Sequence, residues 1–199
     1  FMTLATMTKD FKKLNTELVG ISADTVFSHI AFIRKINELT WKNIKHAQVD
    51  FPLIADPTME ISGMYGMVHP ANSGFQTVRA VFLIDPEETI RTILYYPPDT
   101  GRNMEELKRI IISLQKADAE KVATPANWGP ADDDMLPAPQ TCKAARERME
   151  QVNENAYCLD WFLCFRQTGP NGDRKEELPE ELPYPSSLPN RYDEDAVKK

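Results

Sequence analysis

The chain holds three cysteines, and two of them, Cys158 and Cys164, stand six positions apart in AYCLDWFLCFRQTGP. Around them lie Leu159, Trp161, Phe162, Leu163 and Phe165, an apolar and aromatic strip. A thiolate is a nucleophile and a metal ligand. Metal binding is the weaker use here, because structural zinc takes closely spaced cysteines plus two further ligands, and no histidine follows His69. Reach limits a bond between the two thiols. Six residues rise about 9 Å in a helix and span about 20 Å in a strand, whereas a disulfide needs Cα atoms about 4.4–6.8 Å apart. Regular structure therefore forbids the local pairing, and only a tight loop would permit it. Two readings stay open. Both cysteines are small buried hydrophobes that dock the aromatic strip, or at least one is a thiol meant for a distant cysteine or another subunit. Cys142 opens a predicted helix, where the dipole lowers a thiol's pKa, and its polar neighbours suggest exposure.

A thiolate at neutral pH needs a cation beside it, which directs attention to two arginines. Arg79 interrupts TVRAVFLID and Arg91 interrupts TIRTILYY. Strand alternation allows each to be a solvent-facing side chain; a guanidinium near a sheet end can instead stabilise an anion such as a thiolate or carboxylate. His29 falls on a helix face, His46 in a polar loop and His69 before Pro70, so no two have a ligand spacing. TGRN is too short for a phosphate-binding loop, and nothing in the sequence implies a cofactor.

These residues must be held by ordinary elements. MTLATMTKDFKKL carries apolar residues at helical spacing, and ELVGIS (17–22) reads as a buried strand. DTVFSHIAFIRKINEL (24–39) predicts a helix capped by Asp24, with Val26, Ile30, Ile33 and Ile36 on one stripe. DFPLIAD (50–56) is a further strand, and the next helix takes Pro57 at its first position. Residues 77–85 and 89–96 flank PEE and form a β-hairpin. NMEELKRIIISLQ (103–115) is an amphipathic helix. Strands alternating with helices give an α/β class, and the late hairpin makes the sheet mixed. This first domain is expected over 1–118. Residues 119–167 form an extended arm containing a proline-rich stretch without a period, a short helix over 142–152 capped by Thr141, and the cysteine strip. Residues 168–199 form an acidic, proline-rich tail, ordered only against a partner if at all.

Composition narrows the partners. The 199 residues carry a net charge of -7, which argues against nucleic acid, since phosphate binding needs clustered Lys and Arg. No apolar run reaches the roughly 18 residues of a membrane span, and the first residues do not resemble a signal peptide. The expectation is a cytoplasmic protein in a reducing compartment, where cysteines are free, redox-active or metal-bound rather than structural.

Several segments resemble the peroxiredoxins of the thiol-specific antioxidant type: DFKKLNTELVGISAD, FSHIAFIRKI, FPLIAD, TVRAVFLID, IRTILYYPPDTGRN, VATPANW and CLDWFLC. They extend over about residues 9–166, and the later ones resemble the branch with a long C-terminal arm, the one-Cys group and its archaeal two-cysteine relatives. The resemblance implies a thioredoxin-like fold, a mixed sheet flanked by helices, with that arm appended. It implies thiol-dependent reduction of hydrogen peroxide and organic hydroperoxides. A peroxidatic thiolate becomes sulfenic acid, a resolving thiol condenses with it, and an external thiol reductant such as a thioredoxin-like protein restores both. By resemblance, Arg79 matches the arginine beside the peroxidatic thiol and Arg91 a second one near that pocket. Cys164 matches the resolving cysteine, reaching across to another subunit, and Cys158 its companion. The implied assembly is a homodimer gathered into a decamer-type ring.

One departure matters. The family's nucleophile lies in a Pro-x-x-x-Thr-x-x-Cys motif at the start of the helix leading into FKKLN, and none of the three cysteines stands there. The expectation is a longer natural protein whose N-terminal segment supplies that cysteine. The competing reading is a non-catalytic thioredoxin-like redox sensor or oligomeric scaffold.

Overall fold

A computed structural model describes residues 1–68, 77–150 and 155–168. The chain divides into two compact units, Phe1–Ile111 and Ile112–Lys199.

In the first unit, α1 (Met2–Lys13) buries Met7 and Phe11. They meet Leu107 and Ile111 of α4 (Met104–Glu120), with Val81, Leu83 and Leu94 packed against them. Those last three come from the antiparallel hairpin of β5 (Arg79–Ile84) and β6 (Ile90–Tyr96). Each large apolar side chain so enclosed contributes about 1.5–3 kcal/mol. The hairpin turns at Pro86, and Asp85 Oδ1 fixes the return strand by accepting from the Thr89 N–H at 2.8 Å. Asn103 caps α4, its side-chain oxygen accepting from the N–H groups of Glu105 and Glu106. The helix continues five residues beyond its expected end at Gln115.

β1 (Gly20–Ser22) and β4 (Leu53–Ala55) pair in parallel, so parallel and antiparallel pairing both occur, in separate two-stranded sheets. Between them lie α2 (Val26–Glu38) and a small antiparallel pair, β2 (Thr40–Trp41) with β3 (Ile44–Lys45), which periodicity did not suggest. The cap of α2 is Thr25 rather than Asp24: Thr25 Oγ1 accepts from the Ser28 N–H, while Asp24 accepts from Ser22 Oγ. Of the expected α2 stripe, Ile36 is buried but Val26 and Ile30 are exposed. The next helix, α3 (Glu60–Met64), starts later than Pro57 because residues 56–59 close a turn first. Met59 takes a left-handed φ of 55° there, and the Asp56 carboxylate accepts from the N–H groups of Ile61 and Ser62.

In the second unit, β7 (Asp134–Leu136), β9 (Leu163–Arg166) and β8 (Ala156–Asp160) form an antiparallel sheet in the order β7-β9-β8. The proline-rich stretch is thus not wholly irregular. It contributes β7 and an isolated bridge, Ala123 to Met135, and encloses Trp128. α5 (Cys142–Glu150) is capped by Thr141 Oγ1, which accepts from the Ala144 N–H at 3.1 Å. The rest of the expected helix, residues 151–152, and the tail beyond Thr168 lie outside the described residues.

Candidate redox site

Cys158 and Cys164 form a disulfide with their Cα atoms 4.0 Å apart, a little closer than the usual span. This corrects the expectation that regular structure forbids the local bond. The reach argument treats the segment as one helix or one strand, whereas the chain reverses at Trp161–Phe162 and sets the two cysteines opposite each other on β8 and β9. The pairing depends on a bulge. At the turn Asp160 faces Leu163, and that register continued would set Cys158 against Phe165. Leu159 is the extra, unpaired residue; it shifts β8 by one place so that Cys158 meets Cys164, while Tyr157 stacks on Phe165. Asp160 Oδ1 supports the reversal by accepting from the Trp161 N–H at 2.7 Å. Cys164 has no exposed surface and Cys158 is 4% exposed, whereas Leu159 and Phe162 at the tip are exposed. Cys142 is a free, exposed thiol.

The hairpin is anchored at its base by three consecutive aspartates, each with its own task. The carbonyl of Asp132 accepts from Thr168 Oγ1, and its carboxylate from the Gly129 N–H. Asp133 accepts from Tyr157 Oη and from the Thr168 N–H. Asp134 is wholly buried and lies opposite Arg166 in the ladder. Its Oδ2 meets Arg166 Nη2 at 2.6 Å and Lys116 Nζ at 2.9 Å, and Arg166 also reaches Glu120. These bonds hold the Arg166 pKa above its ordinary value, the Asp134 bond most of all. Two cations and two anions balance, so the cluster fixes β9 to β7 and α4 without a large net field. Periodicity could not have found it, because its members come from three elements far apart in sequence.

The two arginines expected to act together are separated. Arg79 is exposed at the start of β5, opposite Tyr96. Arg91 lies near the turn end of the same hairpin and bonds Asp85 at 3.4 Å. Five residues of strand between these ends amount to about 16 Å. The guanidinium near Arg79 is instead Arg102, in the loop before α4. Partial burial lowers its pKa, and the charge of Arg79 lowers it further. Two neighbouring guanidiniums make an anion-seeking corner. Arg102 was visible in TGRN, but a loop arginine has no periodic signal.

A second polar group joins Ser22, Asp24 and His29. Ser22 Oγ lies 2.8 Å from His29 Nε2 and 2.9 Å from Asp24 Oδ2. An ionised carboxylate only accepts, so the hydroxyl hydrogen goes to Asp24 and Nε2–H donates to Ser22. His29 then cannot act as the base for Ser22, and its buried Nδ1 has no hydrogen-bond partner among the described residues. The arrangement therefore holds α2 to β1 rather than activating a nucleophile. Among the described residues no cluster of three His, Cys, Asp or Glu could hold a metal, and no helix is long and apolar enough to cross a membrane.

Residues 1–93 match the AhpC/TSA family, and residues 113–151 match the C-terminal domain of 1-Cys peroxiredoxin. A peroxiredoxin of Methanosarcina mazei is 53% identical over 84% of this chain and 77% of its own. One from Archaeoglobus fulgidus is 42% identical over 79% and 73%. Among solved structures, the yeast mitochondrial 1-Cys peroxiredoxin superposes with a TM-score of 0.68 at 35% identity, covering 84% of this chain and 78% of that one. A cysteine-to-serine mutant of peroxiredoxin 6 of Arenicola marina gives 0.68 at 29% identity over 84% and 77%.

Proposed function

The chain belongs to the peroxiredoxin family of thiol-dependent peroxidases, and from that premise we propose how its residues share the reaction. A peroxidatic thiolate carried upstream of Phe1, at the start of the helix that continues as α1, attacks a hydroperoxide. Its sulfur takes one oxygen and becomes sulfenic acid, and water or an alcohol leaves. Arg79 and Arg102 favour the sulfur anion and orient the peroxide. The observation that carries this reading is the closeness of two like-charged guanidiniums, Arg79 and Arg102, at the open end of the β5–β6 hairpin. Such a grouping is unfavourable until an anion sits between them. Arg91, bonded to Asp85 at the other end of the hairpin, has no part in the step.

In the second step Cys164 of one subunit condenses with the sulfenic acid of its neighbour, forming an intersubunit disulfide and releasing water. Cys158 then displaces the peroxidatic sulfur from Cys164 and leaves the intrachain bond found here. A reductant of the thioredoxin or glutathione class supplies two electrons and two protons to reopen it. The yeast relative is described with both of those systems.

The test is hydroperoxide consumption by the full-length protein with thioredoxin as reductant. Arg79→Gln is expected to slow peroxide attack by about a hundredfold, the scale of losing one preorganised electrostatic contact. Cys164→Ser is expected to abolish the peroxide-induced intersubunit disulfide on non-reducing gels. Unchanged turnover in Arg79→Gln, or wild-type protein that never forms a linked dimer under peroxide, would overturn the scheme.

A further inference from the structure

The two sulfurs of the Cys158–Cys164 bond are not equivalent. Leu136 of β7, Cys164 of β9 and Cys158 of β8 stand in one row across the sheet. Residues directly opposite in a ladder share a face, so the bond lies along that row. Thiol–disulfide exchange depends on which sulfur is attacked and on access to it, and the incoming thiolate approaches from behind that sulfur, in line with the bond that breaks. Behind Cys164 stands β7 with Leu136, and β9 is the central strand. Behind Cys158 is the outer edge of β8, which no strand pairs among the described residues, and Cys158 keeps 4% of its surface exposed where Cys164 keeps none. Anchorage adds to this asymmetry. Arg166, two residues from Cys164, is tied to Asp134 and Glu120, and Asp134 is also held by Lys116.

We propose that Cys158 is the sulfur an external thiol attacks, that Cys164 is the leaving group, and that Leu136 is the positioning residue that blocks the opposite choice. The proposal deepens the reduction step above and rests on the disulfide being the form that is recycled. The incoming thiolate bonds to Cys158 Sγ while the Sγ–Sγ bond breaks. The electron pair departs on Cys164 Sγ, which takes a proton from solvent. A second thiolate then displaces Cys158 from the mixed disulfide, and the external thiols leave as their own disulfide. The protein gains two electrons and two protons.

The experiment uses protein oxidised with diamide, without peroxide, so its outcome is independent of whether Cys164 resolves a sulfenic acid. Brief exposure to reduced glutathione, an acid quench, alkylation of free thiols and fragment-ion mass spectrometry then locate the glutathione. The expected result is a glutathione adduct on Cys158 and an alkylated Cys164, in excess of about tenfold over the reverse, because access alone selects the sulfur. Leu136→Ala opens the far side of Cys164 and is expected to bring the ratio toward one. Glutathione mainly on Cys164, or an even split in the wild type, would overturn the proposal, as would an unchanged ratio in folded Leu136→Ala. The wild-type ratio decides the matter by itself if that variant does not fold.

Discussion

Asp56 closes the junction between β4 and α3 with one carboxylate. Burial alone would raise its pKa, but hydrogen bonds from backbone N–H groups, those of Ser62 and Ile61 foremost, outweigh that and hold it below the ordinary aspartate value. A carboxylate depressed in the fold stabilises it above its unfolded pKa, about 3.9, and that contribution fades as pH falls through the lower folded value. Asp56→Asn is therefore expected to lower the urea midpoint at pH 7. The gap between variant and wild type should narrow below about pH 4, where the wild-type carboxylate also takes up its proton. Equal gaps at pH 7 and pH 3 would show that geometry, not charge, carries the effect. At this scale the sequence was partly legible. Arg79 and the cysteines stood out by type, whereas Asp134, in the run DDD, gave no sign that it alone of the three would be fully enclosed among Arg166, Lys116 and Glu120.

Elements differ in how openly they announce themselves. The β5–β6 hairpin was readable because two apolar runs flank PEE with a proline to break them, and α4 because its apolar stripe is long and starts at Asn103. The β8–β9 hairpin was hidden. CLDWFLC has no glycine or asparagine to mark a reversal, and the bulge at Leu159 upsets strict alternation. β7 escaped because three residues between Asp133 and Pro137 are too few to show a period. The bulge also makes a counterintuitive prediction. Deleting Leu159 removes the unpaired residue but leaves Cys158 facing Cys164 in a regular ladder. Thiol titration of the oxidised variant should find as many free thiols as the oxidised wild type, Cys142 among them.

The whole molecule presents apolar side chains that no described residue covers. Phe27 is 84% exposed on α2, with Val26 and Ile30 exposed on the same helix. Exposed apolar patches of this kind commonly mark protein interfaces, and a family of oligomeric enzymes supplies a reason for one. Light scattering is expected to give a mass above that of a single chain, and Phe27→Lys to shift the distribution toward smaller species. An unchanged distribution would remove α2 from the assembly surface. The fold class was legible at this scale because motifs spread along the chain agree on one family, although periodicity predicted neither the division within α4 nor the small β2–β3 pair.

The short span of the bond between β8 and β9 has a thermodynamic corollary. Closing so small a ring in the unfolded chain removes little freedom, about 2 kcal/mol on a loop-entropy scale that gives about 4.7 for a ring of a hundred residues. In the proposed cycle, where this cross-link is made and broken, its modest share of the conformational free energy would let the arm change oxidation state while most of its framework persists. Buried charge pairs at the hairpin's base, rather than sulfur, then become the permanent fastening.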